Sequence, residues 1–502
     1  MSTKDSCKAV WNNLPQGIFA LFCIQIFSTL SFSVLYSTLV LYMTGPLALT
    51  SKFANSIMGV FVAFNFALHL LGGYWGGRFL SYRALFSLGM LAQIAGCIFL
   101  SFASSSYLYY GLAAFLTGSG LNVTCVNCML TQRFRPEDTR RESAFLFNYA
   151  GMNIGFFVGF SLSGYFQLLN NYPRLFLLSS IGNLVALFIC LYSWQALADT
   201  STVYGRLSKS KQKRSFIVGL MMVCGLPFIL SQLLHYAEFA NRLVLATGLL
   251  MLVVIYRLAL QQASREAREK IFAFVVLMIV GTIFWTLFQV GPMGLTHFIA
   301  HNVERNWLTL TIPPQWFQNI NTICIVVGGP LLSALFIRLR RKGVQINIPM
   351  QFSMALLLIG LAFALLPVGI SNANAGGYVA PGWVVLSFIL QSIGELLISP
   401  IGYAMIGALA PSSLQGVMMG MWMLSTGVGA TLSSYSSNWM TLGQESVNPL
   451  LTNAGYSHVF LCLGMLAILA SVVLVIMAPV IKRWLSNNKS LVIEDNVSLV
   501  AA

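Results

Sequence analysis

Apolar stretches of about twenty residues or more follow one another along almost the whole chain, and this pattern restricts the fold more than any other feature. They lie at 15–43, 53–76, 84–103, 107–131, 143–168, 175–198, 215–234 and 241–260, then at 272–300, 315–337, 349–369, 380–410, 413–441 and 455–481. About 20 apolar residues in a helix cross the hydrocarbon core of a bilayer, so the pattern predicts an all-α integral membrane protein with about 14 transmembrane helices. Charged residues make up 8% of the 502 positions and hydrophobic residues 57%. A soluble domain carries about a quarter charged residues, so most of this surface cannot face water.

The formal net charge of +15 suggests nucleic acid until its distribution is read. With the N-terminus inside, 24 of the 28 Lys and Arg residues fall in loops on one side. Only Lys52, Arg174, Arg242 and Arg305 fall on the other. This is the positive-inside pattern. It predicts a multi-pass membrane protein with both termini cytoplasmic, and it argues against a nucleic-acid partner. The nine cysteines are scattered, mostly within apolar runs, where cysteine behaves as a small hydrophobe. Cys125 and Cys128 form a C-x-x-C without a second ligand pair, so neither a metal nor a cofactor is expected. The first apolar run is too long for a cleaved signal and lacks its small-residue processing site.

The spans group as six, two and six. The expected organisation is a cytoplasmic tail 1–14, a six-helix bundle 15–198, a linker 199–271 with two extra helices, a second bundle 272–482 and a tail 483–502. Two six-helix halves about a cytoplasmic linker match the repeat plan of major facilitator transporters. No loop is large enough for a catalytic domain, and no nucleophile, base or phosphate-cradling grouping appears, so no enzyme is expected and function must reside among the helices.

Polar residues within the spans are the candidates. Of 13 acidic residues, only Glu395 lies well inside an apolar run. A charge at mid-membrane costs about 2.5–3.5 kcal/mol on insertion scales, so such residues are usually functional; the competing reading is a protonated carboxyl that ties two helices together. Gln391, Glu395 and Ser399 share one helical face, and Pro400 permits a bend there, as a gate helix would need. The first span carries Gln25, Ser28, Thr29 and Tyr36 at helical spacing; packing against another helix is an equal reading. Asn148, Tyr149 and Asn153, with Asn319 and Asn321, are costlier amides. His69 and His297 are proton-carrier candidates because imidazole titrates near working pH, although a packed polar role is the commoner fate of such a residue.

The run GELLISPIGYAMIGALAPSSLQGVMMGMWMLSTGVG resembles the tenth and eleventh helices of the proton-dependent oligopeptide transporter family. FNYAGMNIGFF is similar to that family's fifth-helix F-Y-x-x-x-N-x-G, and WFQNINTICIVVGGPLL to its eighth-helix Q-x-x-N-P, with Thr322 in place of Pro. The two linker helices resemble those of prokaryotic members. The resemblance implies that Asn153, Asn321 and Glu395 hold a peptide's amino terminus and that Trp422 is a pocket-wall aromatic.

The departures from the family pattern are weighted by charge. The family's first-helix E-x-x-E-R-F-x-Y-Y is replaced by QIFSTLSFS, so Gln25, Ser28 and Thr29 stand where two acids and an arginine would be, and Phe32 and Ser33 where the tyrosines would be. Val123 or a near neighbour replaces the fourth-helix lysine, Phe66 the second-helix tyrosine, Gly77 an aspartate, and Gln289 is all that remains near the seventh-helix acid. The cationic side of the implied pocket is gone and the anionic side persists. An unpaired carboxylate in a low-dielectric cavity is costly. The sequence therefore predicts a secondary transporter of an amine-bearing or carboxyl-masked, peptide-like solute working by alternating access. Coupling to protons would be atypical, through Glu395 with His69 or His297 as alternates, in a monomer whose partners are the solute and the bilayer. Two other readings stay open: a carrier of a larger compound such as a metallophore or drug, and a non-transporting receptor or assembly subunit.

Overall fold

The computed structural model describes residues 15–135, 138, 140–199, 202–262, 264–307, 309–343, 347–409, 414–440 and 446–486. The expected tail 1–14, most of the expected tail 483–502 and the Ala-Pro-Ser-Ser of the signature run (410–413) lie outside them. Fourteen long helices are described: α1 Ile18–Thr44, α2 Ser51–Trp75, α3 Tyr82–Ser101, α4 Ser105–Thr131, α5 Arg140–Leu168, α6 Tyr172–Tyr192, α7 Lys209–His235 and α8 Ala237–Leu260. They continue with α9 Arg265–Phe288, α10 Pro314–Arg341, α11 Ile348–Ser371, α12 Pro381–Leu409, α13 Gln415–Met440 and α14 Pro449–Ser486. Thirteen are long and apolar enough to cross a membrane, with α9 extended to Asn302. Helix α13 is as long but carries a buried polar series from Ser425 to Asn438. The all-α membrane fold is as expected. One two-residue ribbon, Asn306–Trp307 with Leu310–Thr311, folds the loop after α9.

One expected span is broken. Helix α9 stops at Phe288; Gly291–Leu295 forms a π-helical turn with Met293 at non-helical angles, and the helix resumes over Thr296–Asn302. Pro292 cannot donate a backbone hydrogen bond, and the Thr296 hydroxyl donates to the Gly291 carbonyl at 2.7 Å. Pro400, by contrast, sits within the continuous helix α12.

The described chain divides into two compact units, one made of 1–38 and 64–236, the other of 39–63 and 237–502. Helix α7 therefore belongs to the first unit, where it packs on α4, and α8 to the second, where it packs on α9 and α13.

Lipid tails are as apolar as leucine, so membrane helices gain by close approach rather than by escaping water, and small residues line their contacts. In the first unit, Gly151, Gly155 and Gly159 of α5 repeat every four residues and form a groove for α1. A Cβ on each would meet the carbonyl oxygens of Phe22, Ile26 and Leu30 at 3.1, 2.5 and 2.8 Å. Helices α3 and α4 meet through Gly96 and Gly111, where a Cβ on Gly96 would lie 2.7 Å from the Gly111 carbonyl. In the second unit, α11 and α14 cross at Gly360 and Gly464, beside reciprocal Ser353–Ser471 hydrogen bonds.

Within the second unit, the start of α2 is bound to α13 and α8 by neutral amides. Asn55 Nδ2 donates to Asn438 Oδ1 at 3.1 Å, Asn438 Nδ2 to Ser56 Oγ at 3.4 Å, and Asn241 Nδ2 to the Ser56 carbonyl at 3.1 Å.

After α2 the chain turns at Gly77, whose φ of +71° suits glycine and where a Cβ would lie 2.9 Å from Thr202. Glycine, where the family pattern has aspartate, fits this turn without strain and leaves room for Thr202. Asp199 serves the turn from elsewhere: both its oxygens accept from the Tyr82 N–H at 3.2 Å, and burial raises its pKa above the usual carboxylate range.

The glycine groove can be tested by bulk. Gly155→Leu should lower the melting temperature of the purified protein by several degrees or more, because overpacking costs about 1–3 kcal/mol and the contact is with backbone. Gly225→Leu on α7, where a Cβ meets nothing within 4 Å, should leave it nearly unchanged. Thermal unfolding monitored by tryptophan fluorescence distinguishes the two.

Candidate functional site

The groove on α5 fixes the register of α1 and so brings its polar stripe against the α5 amides. Gln25 and Thr29 are one turn apart, both buried, and Gln25 Nε2 donates to Thr29 Oγ1 at 2.9 Å. Asn148 Nδ2 donates to Gln25 Oε1 at 3.3 Å, while Asn148 Oδ1 is buried without a partner. The stretch in which the family pattern has two acids and an arginine is therefore a neutral amide–hydroxyl chain. Asn153 is buried one turn along, its amide donating to the Tyr149 carbonyl at 2.9 Å. Tyr36 is half-buried beside Phe32, whose ring meets Phe156 of α5 edge-on at 6.3 Å. The structure thus brings Gln25, Thr29 and Asn148 together and sets Asn153 on the same helix as Asn148.

His69 lies apart from this chain of contacts. Its ring packs edge-on against Phe66 at 5.5 Å, and its Nε2 is buried without a partner.

In the second unit, Asn321 of α10 reaches α12. Its Nδ2 donates to Glu395 Oε2 at 2.8 Å and to Ser392 Oγ at 3.1 Å. Ser392 in turn donates to the Phe388 carbonyl at 2.6 Å. Glu395 is half-buried and forms no ion pair among the described residues: the four pairs seen are Lys52–Glu238, Arg140–Asp138, Arg265–Glu269 and Lys270–Glu266. A carboxyl with an amide donor and no cation is available to a cationic partner or to a proton. Gln391 faces inward one turn before it and donates to Ser387 Oγ at 3.1 Å; Ser399 follows one turn after, half-buried.

Trp422 is placed differently from a pocket wall. It is 2% exposed, and its indole fills the gap left by Gly281 of α9 and Gly402 of α12, with Phe352 of α11 at 6.1 Å. Glycine at 281 and 402 is what admits so large a ring, so Trp422 acts here as the packing centre of four helices. Gln289 is buried at the C-terminal end of α9, where the helix breaks. His297 lies beyond the break, 3% exposed, its ring stacked on His301 at 6.3 Å and its Nε2 without a partner.

Two residues escaped the sequence reading. Ser392 shares Asn321 with Glu395; its position three residues before Glu395 on the same helix face was the available signal. Gln315, in the first turn of α10, is fully buried with both side-chain polar atoms unpartnered, and nothing in its sequence context separates it from a helix-start glutamine facing water.

These features define a polytopic helical membrane protein in which Glu395, on α12, has no ion-pair partner among the described residues. A sequence model of the POT family matches residues 32–455, and the chain belongs to that family, which is one of transporters rather than enzymes. It is 29% identical over 493 residues to dipeptide and tripeptide permease A of Chromobacterium violaceum, covering 97% of this chain and 98% of the permease. It is 27% identical over 474 residues to dipeptide and tripeptide permease B of Salmonella typhimurium, covering 94% and 96%. Among solved structures, it superposes with a TM-score of 0.82 on a mutant peptide transporter POT in complex with alafosfalin, at 24% identity and covering 94% and 96%. A POT family transporter in complex with 5-aminolevulinic acid gives a TM-score of 0.79, at 24% identity and covering 93% and 97%. At this identity the superpositions establish the fold. The expected family and the expected major facilitator fold are both borne out.

Because no cation among the described residues balances Glu395, neutralising it should not unfold the protein. Gln at 395 keeps an acceptor for Asn321 and removes a charge that costs about 2.5–3.5 kcal/mol at mid-membrane. Glu395→Gln should therefore melt at or above the wild-type temperature, whereas removal of a charge that closed a buried ion pair would lower it by several degrees. A melting curve in detergent at neutral pH decides between them.

Proposed function

We propose that this protein is a secondary transporter of small, peptide-like solutes that carry an amine or other cation and lack, or mask, a free carboxylate. One observation carries the reading. The only acid well inside the spans, Glu395, is held by Asn321, whose amide also bonds Ser392, without a basic partner among the described residues, and the first helix offers Gln25 and Thr29 in place of charged groups. The names of the relatives support a peptide-like cargo. They do not favour the larger-compound reading or the non-transporting one.

In this reading Asn321 aims the Glu395 carboxylate, and Glu395 pairs with the amine of the solute. Asn153, Gln25, Thr29, Tyr36, Gln289 and Ser399 supply neutral donors and acceptors. An ordinary dipeptide would leave its carboxylate facing amides alone, at a cost of order 1–3 kcal/mol for an imperfectly compensated buried polar group, more for a charge. Glu395 also carries any coupled proton: His69 and His297 lack a carboxylate partner among the described residues. Pro400 is the candidate flexing point of α12. The loop charges support cytoplasmic termini.

In proteoliposomes or by binding to purified protein, an amine-bearing amide or ester of a dipeptide should bind at least tenfold tighter than the free dipeptide, and Glu395→Gln should abolish the preference. Flux driven by a pH gradient should vanish in Glu395→Gln and persist in His69→Gln and His297→Gln. Tightest binding by free dipeptides, with Glu395→Gln indistinguishable from wild type, would overturn the proposal.

A further inference from the structure

The second unit contains a cleft of about 690 Å³ between α8, α9, α13 and α14, apart from Glu395 and Asn321. Most of its wall is hydrocarbon from leucine, isoleucine, valine and methionine, and the threonine and serine hydroxyls on it are already used. Thr282 donates to the Met278 carbonyl, Thr286 to Thr282, Ser425 to Trp422 and Ser436 to Leu432, at 2.7–3.0 Å. Each hydroxyl proton is turned back on its own helix. Away from Tyr435 and Trp439, the cleft therefore offers a ligand apolar contact and almost no hydrogen-bond donor. It is open at the side: Leu249, Ile279 and Leu466 on its margin are 66%, 46% and 50% exposed. On membrane-spanning helices that exposure is to lipid.

One end of the cleft has a different chemistry. Helices α8 and α13 run antiparallel there, because Asn241 near the start of α8 and Asn438 near the end of α13 both bond to Ser56. Arg242 and Trp439 are the next residues on each, so both lie at this end. Arg242 heads the stripe Arg242, Leu245, Leu249, Leu252, at spacings of three and four that place it on the face lining the cleft. It is exposed and has no ion-pair partner among the described residues; the nearby Glu238 is taken by Lys52 at 3.8 Å. Trp439 is 59% exposed and Tyr435 stands one turn below it on the cleft wall. Aromatic rings and a lone guanidinium at a helix end are what a membrane–water boundary favours, and the guanidinium matches a phosphate in geometry.

We propose that this cleft is a phospholipid site: one acyl chain lies between α8 and α13, and the phosphate of an anionic headgroup pairs with Arg242 beside Trp439. Glycine at 248 keeps this part of the cleft wall low, since a Cβ there would come within 2.7 Å of Val428 on α13. The lipid would complete the contact of α8, the linker helix that has only 17% of its most apolar window buried by protein.

The test uses the full-length protein, delipidated in detergent and mixed with phosphatidylglycerol or phosphatidylcholine of identical chains, and read by native mass spectrometry. Wild type should retain one phosphatidylglycerol in preference to phosphatidylcholine, by up to about fivefold for one exposed ion pair. Arg242→Gln should bind both lipids equally, and Leu249→Trp, which fills the cleft, should weaken both. Melting temperatures without lipid guard against misfolding; should Leu249→Trp melt low, Ile279→Phe fills the same margin. Equal retention of the two lipids by wild type, retention unchanged by a folded cleft-filling variant, or displacement by uncharged detergent without headgroup preference would each overturn the proposal.

Discussion

In a bilayer, two apolar helices gain nothing by leaving their solvent, so the arrangement of this protein rests on where backbones can come closest. The groove made by Gly151, Gly155 and Gly159 is the clearest case. It sets α1 in one register against α5, and that register decides that Gln25 meets Asn148 and that Thr29 is reached by Gln25. A shift of α1 by one residue would rotate its polar stripe by about 100° and leave buried amides without partners. Polar pairing then reinforces a register that glycine spacing already selected.

The second unit applies the same rule to larger side chains. Gly281 and Gly402 leave room for the Trp422 indole, which holds α9, α11, α12 and α13 about a common centre. Helix α12 is thereby fixed on one side by packing and on the other by Asn321, whose amide bridges to Ser392 and Glu395. The carboxyl is oriented by one neutral donor, and no described arginine or lysine compensates its charge. An acid in that condition has two ways of lowering its energy, a proton or a cationic ligand, and a carrier can exploit both.

Much of this was legible in the chain itself, for identifiable reasons. Span number and positions followed from apolar length, and the isolation of Glu395 followed because the other twelve acids lie outside the apolar runs. The family followed from a long motif around Glu395. The break in α9 was harder to see: Pro292 and the flanking glycines signal it, but an unbroken apolar run hid it. Trp422 looked like a pocket aromatic because a motif fixes which residue recurs and says nothing about which way a ring points; Gly281, 141 residues earlier, decides that. Ser392 and Gln315 acquired meaning only from neighbours on other helices.

The amino-acid sequence by itself determined the membrane-spanning helical class, the family and the one acid that matters, because hydropathy, charge placement and a local motif are properties of contiguous residues. Tertiary structure decided which amides partner Gln25 and Glu395, that no described arginine or lysine answers that acid, and that α7 and α8 join different units. Those outcomes depend on backbone approach and side-chain direction between segments far apart in the chain, and no local pattern encodes them.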